Sequence, residues 1–560
     1  MSLTPDLAAT PPTSPRVSDA VRGVLDSLSD EALVGQLLCV YQRGPQVDIF
    51  LDQLERDGIA PGAFFLAGGT STEGTRERVT ALENWSTVPP LTAANLESGS
   101  STFALDGELV ANPMQVAASG DVQFARLLGQ QCASLARQMR LTWAFAPVVD
   151  VTYSHVNPIT GVRAFGNDPQ LVREHGAAFV TTLQEGGVAA SAKHWPGDGV
   201  DDRDQHLVTS INDLQPEAWE RGFGSIYRAV VDAGVHTIMA GHVAAPGLMG
   251  RANADSFLPA SQNRALLQGL LRGTLGFDGL IVSDNTLMAG FTRVMPRDAA
   301  VVTAVSAGCD MLLGADFALD DYRALSDAVA SGALVRSRLV EAVARVLTLK
   351  EKVSLLGASA PATVFEPDPA WRAELARSSV TLTKDVEQTL PITADRYPSA
   401  LVYVLGDRET FYQPAAGMVD RFATGLRDRG IQVTLRPVPA DGRTPRGERD
   451  LQRQFDLTIY FANVPFDSTS NTTRITWSYP QGPEAPRFAE SRSVLVSIAD
   501  PYHLQDLPSV GTAVNGYTPS AEVVDAIVAG LTGEAPWRGV SPIDAFCGHI
   551  EAETLKPRVG

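Results

Sequence analysis

The chain has 560 residues, of which 44% are hydrophobic, and a formal net charge of −19 at pH 7. This length can bury large cores and suggests about two to four domains. The negative charge argues against nucleic acids and anionic membranes as partners, and no apolar run approaches the ~20 residues that span a bilayer.

The N-terminal residues and the cysteines indicate where the protein works. Residues 1–18 are rich in Pro, Thr and Ser and lack the basic and apolar regions of a signal peptide, which predicts a disordered tail. The cysteines are scattered and form no paired motif; they are Cys39, Cys132, Cys309 and Cys547. Because unpaired cysteines are typical of reducing compartments, we expect a cytoplasmic protein.

Between residues 19 and 355, short apolar segments alternate with amphipathic stretches of helical periodicity. The predicted strands are 37–41, 62–67, 91–95, 142–149, 188–193, 235–240, 279–283 and 309–313. Helices are predicted between them, for example over 122–138, 169–184, 217–232 and 260–275. This alternation predicts an α/β fold in the form of a (β/α)8 TIM-like barrel. Polar residues lie at or just past the C-terminal ends of five of the strands, where barrel enzymes place their chemistry: Asn95, Asp150, Lys193, His242 and Asp284.

A second pattern follows the helical stretch 336–355. Residues 356–374, rich in Ala and Pro, predict a linker. Strands at 400–405, 432–436, 457–462 and 493–498, with helices near 416–428 and 521–531, predict a smaller layered α/β sandwich domain over 375–545. Residues 546–560 are then a C-terminal tail. The polar loop 467–477 either lies at the surface or reaches toward the mouth of the barrel.

The segment after the predicted strand 188–193 concentrates charged residues in a loop. Its sequence at 193–199 is Lys-His-Trp-Pro-Gly-Asp-Gly, which excludes a helix. Charged groups at the end of a buried strand are costly to desolvate and usually have a task. Asp204, two residues before His206, can accept one ring N–H, fix the tautomer and raise the basicity of the other nitrogen. For an isolated Asp-x-His pair, a polar surface loop is the alternative.

A metal site is a further alternative for this loop. His194, Asp198 and His206 are the candidate ligands, but Pro-Gly at 196–197 breaks any helical ligand spacing and no cysteine joins the set. We therefore predict neither a metal nor a cofactor.

A second chemical centre lies at the end of the predicted strand 279–283. The segment 277–285 reads Phe-Asp-Gly-Leu-Ile-Val-Ser-Asp-Asn, so a buried strand leads directly into Asp284. Such an aspartate can simply cap the next helix, or it can be a reactive carboxylate.

Together the two motifs resemble those of glycoside hydrolase family 3, in the branch of bacterial β-N-acetylglucosaminidases. That branch has an Asp-His dyad and includes glycoside phosphorylases. Its first motif is Lys-His-Phe-Pro-Gly-His-Gly, four residues, then Asp-Ser-His, and its second is Gly-Val/Leu-Ile-x-Ser-Asp. Segments 29–38, 145–151, 163–169, 375–391 and 501–504 also resemble parts of the family, so the resemblance covers both domains.

The resemblance implies a role for each matching residue. Asp284 is expected to be the nucleophile. His206 is expected to be the general acid/base, which Asp204 orients and charges. Lys193 and His194 are expected to bind sugar hydroxyls. A retaining glycosidase needs its nucleophile and its acid about 5–5.5 Å apart on opposite sides of the sugar, and the ends of neighbouring strands can meet that demand.

Other positions match less completely. Arg163 corresponds to an arginine that contacts sugar in the family, but an ion pair with a nearby carboxylate explains it equally well. Asn95 replaces the Asp that grips the sugar in the branch, which keeps an acceptor oxygen and removes the charge. The arginine that follows this Asp in the branch has no counterpart, and Asp198 replaces the second histidine of the first motif. Recognition of the far end of the sugar therefore differs, and both glucosides and N-acetylglucosaminides become candidate substrates.

We expect a retaining exo-acting β-glycosidase or β-glycoside phosphorylase that removes terminal β-linked glucose or N-acetylglucosamine from a small carbohydrate. A covalent glycosyl-enzyme intermediate would pass the sugar to water or to inorganic phosphate. Phosphate is included because a neutral His206, unlike a carboxylate, does not repel an anion, and Arg203 is a candidate phosphate contact. The alternatives are a strict hydrolase and a catalytically inactive sugar-binding sensor.

Overall fold

The computed structural model describes residues 15–42, 47–83, 85–314, 318–357, 362–407, 417–438, 447–464, 474–475, 488 and 491–554. The chain divides into two compact units. The first comprises Met1–Glu108, Ala125–Thr160 and Asp168–Pro367, and the second comprises Leu109–Phe124, Gly161–Asn167 and Asp368–Gly560. Residues 1–14 of the predicted tail and most of the loop 467–477 lie outside the described residues. The predicted domain boundaries stay predictions.

Eight parallel strands close the first unit into a barrel. They are β1 (Leu38–Gln42), β2 (Ala63–Leu66), β3 (Leu91–Ala94), β4 (Trp143–Ala144), β5 (Ala189–Trp195), β6 (Thr237–Ala240), β7 (Leu280–Asn285) and β8 (Met311–Leu313). Each strand pairs with the next one along the chain, and β8 pairs with β1. The predicted (β/α)8 TIM-like barrel is therefore confirmed.

Helices connect the strands of this unit. They are Asp19–Ser27, Asp30–Gln36, Val47–Arg56, Thr72–Glu83, Gln123–Gln138, Pro169–Glu185, Pro216–Trp219, Ser225–Asp232, Pro246–Met249, Ala289–Thr292, Arg297–Ala307, Ala318–Ser331 and Arg336–Lys352. Glu220–Gly224 and Ala265–Thr274 are π-helical, and Ala254–Phe257 and Ala260–Gln262 are 3₁₀ turns. Polar caps fix several helix starts, since the side chains of Ser18, Ser29 and Asp168 each accept a backbone N–H of the first turn.

Apolar side chains fill the interior of the barrel. Successive strand residues point to opposite faces, so every second residue faces inward. Trp143 and Phe145 pack edge to face there, and Trp143 Nε1 donates to Thr237 Oγ1 at 2.9 Å. Ala93 and Val282 also belong to this core. Two positions further along the chain from Ala93 and Val282 are residues 95 and 284, so the packed core ends at the layer that carries the predicted site residues.

The second unit contains a mixed six-stranded sheet. Its strands are β9 (Thr381–Asp385), β10 (Ser399–Gly406), β11 (Gln432–Pro437), β12 (Leu457–Asn463), β13 (Arg492–Ser497) and β14 (Thr512–Asn515). The spatial order is β9-β14-β13-β12-β10-β11, and all neighbours are parallel except the antiparallel pair β9 and β14. Alternate residues of β10 enter different hydrophobic cores, with Val402 in one and Leu401 and Tyr403 in the other. The sheet is therefore covered on both faces, which confirms the predicted layered α/β architecture.

The helices of the second unit include elements that the sequence did not predict. They are Pro113–Ala118, Ala370–Ser379, Met418–Arg427, Glu448–Gln452, Ala521–Leu531 and Ile550–Thr554, with 3₁₀ turns at Gly161–Arg163 and His503–Gln505. Ala370–Ser379 begins inside the predicted linker, and Ile550–Thr554 lies in the predicted tail. Across the described part of both units, no helix is long and apolar enough to cross a membrane.

Candidate active site

Polar side chains from three barrel strands meet at the end where the parallel strands finish. Asn95 follows β3, Lys193 and His194 lie on β5, and Asp284 lies on β7. In a closed parallel barrel the carboxyl ends of all strands share one rim. The contacts below bring these four predicted residues together.

Lys193 is a buried cation whose acceptors include Glu97 and Asn95. Its Nζ lies 2.6 Å from Glu97 Oε1 and donates to Asn95 Oδ1 at 3.0 Å. Only 2% of the Lys193 side chain and 4% of Glu97 are exposed. A charge taken out of water needs a partner charge, and Glu97 supplies it. Asn95 therefore contributes a dipole rather than a second negative charge, and its amide group adds N–H donors that an aspartate lacks.

His194 lies between two carboxyl groups. Its Nδ1 is 2.7 Å from Asp150 Oδ2, and its backbone N–H donates to Asp150 Oδ1 at 3.0 Å. Its Nε2 is 3.8 Å from Asp284 Oδ2. The Asp150 carboxylate orients the ring and places a proton on Nδ1. The opposite nitrogen therefore faces the predicted nucleophile.

Asp284 has few hydrogen-bond partners for a buried carboxylate. Its Oδ1 accepts the backbone N–H of Asn285 at 2.7 Å, and 12% of its side chain is exposed. Burial acts to raise the pKa of Asp284, but His194, His242, the Asn285 N–H and His206 together bring the pKa below its ordinary value. A carboxylate that stays ionised with little hydrogen bonding is suited to nucleophilic attack.

His242, just past β6, contacts the residue that follows Asp284 on β7. It is fully buried, and its Nε2 donates to the backbone carbonyl of Asn285 at 3.0 Å, while Ser261 Oγ lies 2.9 Å from Nδ1. Burial, as the main cause, lowers the pKa of His242. The imidazole therefore acts chiefly as a neutral support for the end of β7.

Asp204 and His206 form a hydrogen-bonded dyad. Asp204 Oδ1 accepts from Nδ1 of His206 at 2.7 Å and from its backbone N–H at 2.8 Å. The Asp204 side chain is 1% exposed and that of His206 is 36% exposed. The carboxylate holds the proton on Nδ1, so Nε2 is the nitrogen that can give or take a proton.

The loop that carries the dyad is hydrogen-bonded to the segment after β7. The backbone carbonyl of His206 accepts the N–H of Ala289 at 2.9 Å, and Thr209 Oγ1 donates to the carbonyl of Gly290 at 2.9 Å. Gln205 Oε1 accepts the backbone N–H of His242 at 2.9 Å. The two-residue strands Ser210–Ile211 and Val243–Ala244 pair next to it. The dyad and Asp284 are therefore held by one continuous set of contacts.

Comparison with known proteins identifies the family. Residues 69–349 match the N-terminal domain of glycosyl hydrolase family 3. A protein of Cellulomonas fimi named β-N-acetylglucosaminidase/β-glucosidase is 39% identical over 548 residues, which cover 94% of this chain and 96% of that protein. The chain belongs to glycoside hydrolase family 3. The predicted family is confirmed, and the chain is a family 3 enzyme.

Solved structures agree with this assignment. The structure of a β-glucoside phosphorylase, BglX, is 33% identical with a TM-score of 0.85, and the match covers 95% of this chain and 96% of that one. A family 3 β-N-acetylglucosaminidase from Paenibacillus sp. str. FPU-7 has a TM-score of 0.77 at 22% identity, covering 93% of this chain and 99% of that one. At that identity the second likeness supports the fold alone.

Three residues of this family 3 site had no predicted role. Asp150 and His242 were expected at strand ends without an assigned contact, and Glu97 was not singled out. A signal for Glu97 exists in the sequence. It stands two residues after Asn95, and alternate positions of an extended chain face the same side. Nothing in the sequence pairs Asp150 with His194, because their partnership depends on the contact between β4 and β5.

The two predicted arginines lie in different surroundings. Arg163 ends the 3₁₀ turn Gly161–Arg163 in the second unit and is half-buried, so its sugar contact stays a prediction. Arg203 forms a fork with Asp201, at 2.7 to 3.0 Å, and Asp201 also accepts the backbone N–H of Ile211 at 2.7 Å. The guanidinium of Arg203 is thus neutralised within its own loop.

The residues considered as metal ligands have other partners. His194 and His206 each direct Nδ1 to an aspartate. In the described ranges, no group of three or more His, Cys, Asp or Glu side chains is arranged to hold a metal ion.

Proposed function

We propose that this family 3 enzyme is a retaining exo-acting β-glycosidase and β-glycoside phosphorylase that removes terminal β-linked glucose or N-acetylglucosamine from a small carbohydrate. One observation carries the proposal. An ionised, sparsely hydrogen-bonded Asp284 lies among histidines, beside an Asp204–His206 dyad whose loop is fastened to the segment after β7. The Cellulomonas fimi relative is named for both sugars and the BglX structure for phosphorolysis, which supports the choice of sugars and acceptor.

In the first step, a carboxylate oxygen of Asp284 attacks the anomeric carbon. The bond from that carbon to the leaving oxygen breaks, and this oxygen takes the proton from Nε2 of His206. The aglycone leaves as a neutral alcohol, and the sugar remains as an ester of Asp284. Asp204 stabilises the imidazolium of His206 before the proton is transferred.

In the second step, the acceptor gives a proton to Nε2 of His206 and attacks the anomeric carbon, which releases Asp284 as a carboxylate. Water gives the free sugar, and phosphate gives the sugar 1-phosphate. Two inversions restore the β configuration. A carboxylate at the acid/base position would repel phosphate by about 4 kcal/mol per charge pair at 4 Å and an effective dielectric near 20. A neutral imidazole imposes no such penalty.

Strict hydrolysis is the second candidate, and the charges near the site favour it. Arg203 is engaged by Asp201 and does not counter the negative field. Asp150 and Asp204 are buried carboxyl groups close to the histidines of the site. Their charges oppose the approach of a phosphate dianion.

We assign sugar binding to the residues at the strand ends. Lys193, His194 and Asn95 are the proposed contacts for the sugar hydroxyls, and Arg163 is proposed as a further contact. The Lys193 ammonium pairs with Glu97 and donates to Asn95, and these contacts fix it at the strand ends where the sugar would bind. The proposed reaction requires no cofactor.

The decisive experiment follows the product with and without phosphate. An aryl β-glucoside and an aryl β-N-acetylglucosaminide are incubated with the enzyme at zero and millimolar phosphate, and the sugars are identified by NMR. We expect phosphate to accelerate turnover and to yield the β-sugar 1-phosphate. Free sugar alone at every phosphate concentration would leave a strict hydrolase, and the α-1-phosphate would contradict a double displacement.

Two controls sharpen this experiment. Arg203→Ala should leave the dependence on phosphate unchanged, because the Asp201 fork already neutralises that guanidinium. Binding of both aryl glycosides without turnover of either would favour a sugar-binding sensor.

A further inference from the structure

Two buried carboxyl groups lie behind His194, and they differ in their hydrogen bonds. Asp150 accepts three donors: Nδ1 and the backbone N–H of His194 at 2.7 and 3.0 Å, and the backbone N–H of Asp198 at 2.8 Å. Asp198 accepts two donors on Oδ1, from Gly199 N–H at 2.6 Å and from Asn157 Nδ2 at 2.9 Å. Its Oδ2 is buried and has no hydrogen-bond partner among the described residues.

Two adjacent buried carboxyl groups cannot both carry a charge without a large penalty, so one of them keeps a proton. Asp150 is the one equipped to be the anion, because both of its oxygens accept N–H groups. Asp198 is the better candidate for the protonated acid. Its Oδ2 receives no hydrogen bond among the described residues, and a proton on that oxygen removes the negative charge that would otherwise be unsatisfied. Burial, followed by the charge of Asp150, raises the pKa of Asp198 to about 7.

The groups that interact with this pair lie on several elements. Asp150 and Asn157 lie on the segment after β4, and His194 lies on β5. Tyr227, on the helix Ser225–Asp232, is a neutral phenol whose pKa is raised by burial and by Asp150 and Asp198. Beyond His194 are the ionisable groups of the catalytic centre, namely Asp284, His242 and His206.

We infer that Asp198 is a positioning residue, which keeps one proton within the Asp150–Asp198 pair and thereby keeps the Asp150 carboxylate hydrogen-bonded to His194, whose Nε2 faces the nucleophile Asp284. The inference rests on the proposed function, since it concerns the first displacement. When Asp198 is neutral, one negative charge lies behind His194. When Asp198 is ionised, the two buried negative charges repel each other, which weakens the hydrogen bonds that Asp150 accepts from the His194 ring and from the Asp198 N–H. Nε2 of His194 would then lose its fixed place 3.8 Å from Asp284, and the attack of that carboxylate would slow.

The test measures the first step without the need for an acid. A 2,4-dinitrophenyl glycoside releases a leaving group that needs little protonation, so its burst rate reports the attack of Asp284. For the wild type we expect this rate to fall by roughly tenfold between pH 6 and pH 8, as does the protonated fraction of a group with a pKa of about 7. Asp198→Asn should match the wild type within about twofold at pH 6 and should not fall toward pH 8, because an amide does not titrate.

The matched control is Asp202→Asn, which makes the same change at an exposed position of the same loop. Its pH profile should follow that of the wild type. The fall should also persist in a His206→Ala background, which separates it from titration of the acid/base. Parallel profiles for the wild type and Asp198→Asn, or loss of the fall in His206→Ala, would overturn the inference.

A measurement on the wild type keeps the inference testable if Asp198→Asn does not fold. The infrared spectrum should contain the C=O band of a buried carboxylic acid at pH 6 and lose it by pH 8. Absence of that band at pH 6 would also overturn the inference. Failure of the proposed function has a different signature, because the wild type would then release no dinitrophenolate burst at any pH.

Discussion

Two buried aspartates of the barrel, Asp284 and Asp310, have opposite surroundings. Asp284 lies on β7, near its carboxyl end, and Asp310 lies just before β8, at the amino-terminal end of the neighbouring strand. Asp310 accepts from Arg272 at 2.7 Å, from Arg338 at 2.8 Å and from the backbone N–H of Ile281 at 2.9 Å. Asp284 has one backbone N–H at 2.7 Å and a histidine nitrogen at 3.8 Å.

Both carboxylates have a pKa below the ordinary value, but the cause differs. Burial opposes ionisation in each case. The guanidinium groups of Arg272, Arg338 and Arg345 outweigh it at Asp310, whereas imidazoles and one N–H group outweigh it at Asp284. A carboxylate saturated by permanent cations is a structural anchor, whereas one stabilised at longer range remains free to react. This contrast agrees with the division of labour in TIM barrels, where the amino-terminal end serves stability and the carboxyl-terminal end serves chemistry.

The strongest test of the contrast is the removal of each carboxylate's charge. Asp284→Asn should reduce turnover of an aryl β-glycoside by several orders of magnitude, because no covalent intermediate can form. Its free energy of unfolding should stay within about 1 kcal/mol of the wild type. A 2-fluoro glycosyl inactivator should label Asp284 in the wild type. Mass spectrometry that located the label on Asp310 or Asp278 would reverse the assignment.

The matched change at the other end of the barrel should act on stability. Asp310→Asn should lower the free energy of unfolding by about 3–5 kcal/mol, because it leaves buried guanidinium groups without a counter-charge. Urea denaturation followed by circular dichroism measures this change. The fraction of the protein that stays folded should retain wild-type kcat. A loss of kcat without a loss of stability would contradict the structural role of Asp310.

The dyad extends the test to the loop beside Asp284. His206→Ala and Asp204→Asn should slow cleavage of alkyl β-glycosides by about 10²–10⁴-fold. Nitrophenyl glycosides should be less affected, because their leaving groups need little protonation. Asp201→Asn, in the same loop, should change neither rate substantially. Unchanged relative rates for alkyl and aryl substrates in both dyad variants would remove the acid role from His206.

Acidification should distinguish the two aspartates by a smaller effect. A carboxyl group with a lowered pKa contributes stability that is present above its ordinary value of 3.8 and is lost as the pH falls through the folded-state value. The closer cations make this contribution larger at Asp310. The slope of unfolding free energy against pH below about 4 should therefore be flatter in Asp310→Asn than in Asp284→Asn. Equal slopes would mean that the guanidinium groups do not govern the ionisation of Asp310.

The smallest expected effect is a change of sugar preference. Asn95→Asp adds a negative charge beside the Lys193–Glu97 pair, and it should alter the ratio of kcat/KM between glucosides and N-acetylglucosaminides more than it alters stability. Thermal denaturation and kinetics with both aryl glycosides measure the two quantities. If kcat/KM is unchanged for every sugar, residue 95 does not contact the substrate.

The sequence was sufficient to predict the barrel, but it predicted the lengths of the strands less well. All eight barrel strands were predicted near their observed positions, because each is a short apolar run between amphipathic helices. The fourth was predicted over 142–149, but only Trp143–Ala144 pairs as a strand. Pro147 lacks the N–H that a longer ladder requires. In the second unit, β9 was missed because its residues Thr-Leu-Thr-Lys-Asp lack an apolar run, and its partner β14 is only four residues long.

For the candidate site, the motifs predicted the residues, and the fold shows which partners these residues contact. Asp204 and His206 were predicted as a pair because only Gln205 separates them, and the structure joins them through Nδ1 of His206. The Glu97–Lys193 and Asp150–His194 contacts connect residues 96 and 44 positions apart, so only the closed barrel brings them together. Sequence spacing therefore predicts local chemistry well and the charge balance around it poorly.

The attachment of the dyad loop to the segment after β7 has a consequence for how such an enzyme can change. The contacts of His206 and Thr209 with Ala289 and Gly290 make the two segments one mechanical unit. An insertion or deletion in either segment would shift His206, the proposed proton donor, relative to Asp284, the proposed nucleophile. Variation in length is therefore tolerated elsewhere on the rim before it is tolerated here. If the dyad loop is exchanged between relatives, the enzyme should stay active only when residues 286–290 are exchanged together with the loop.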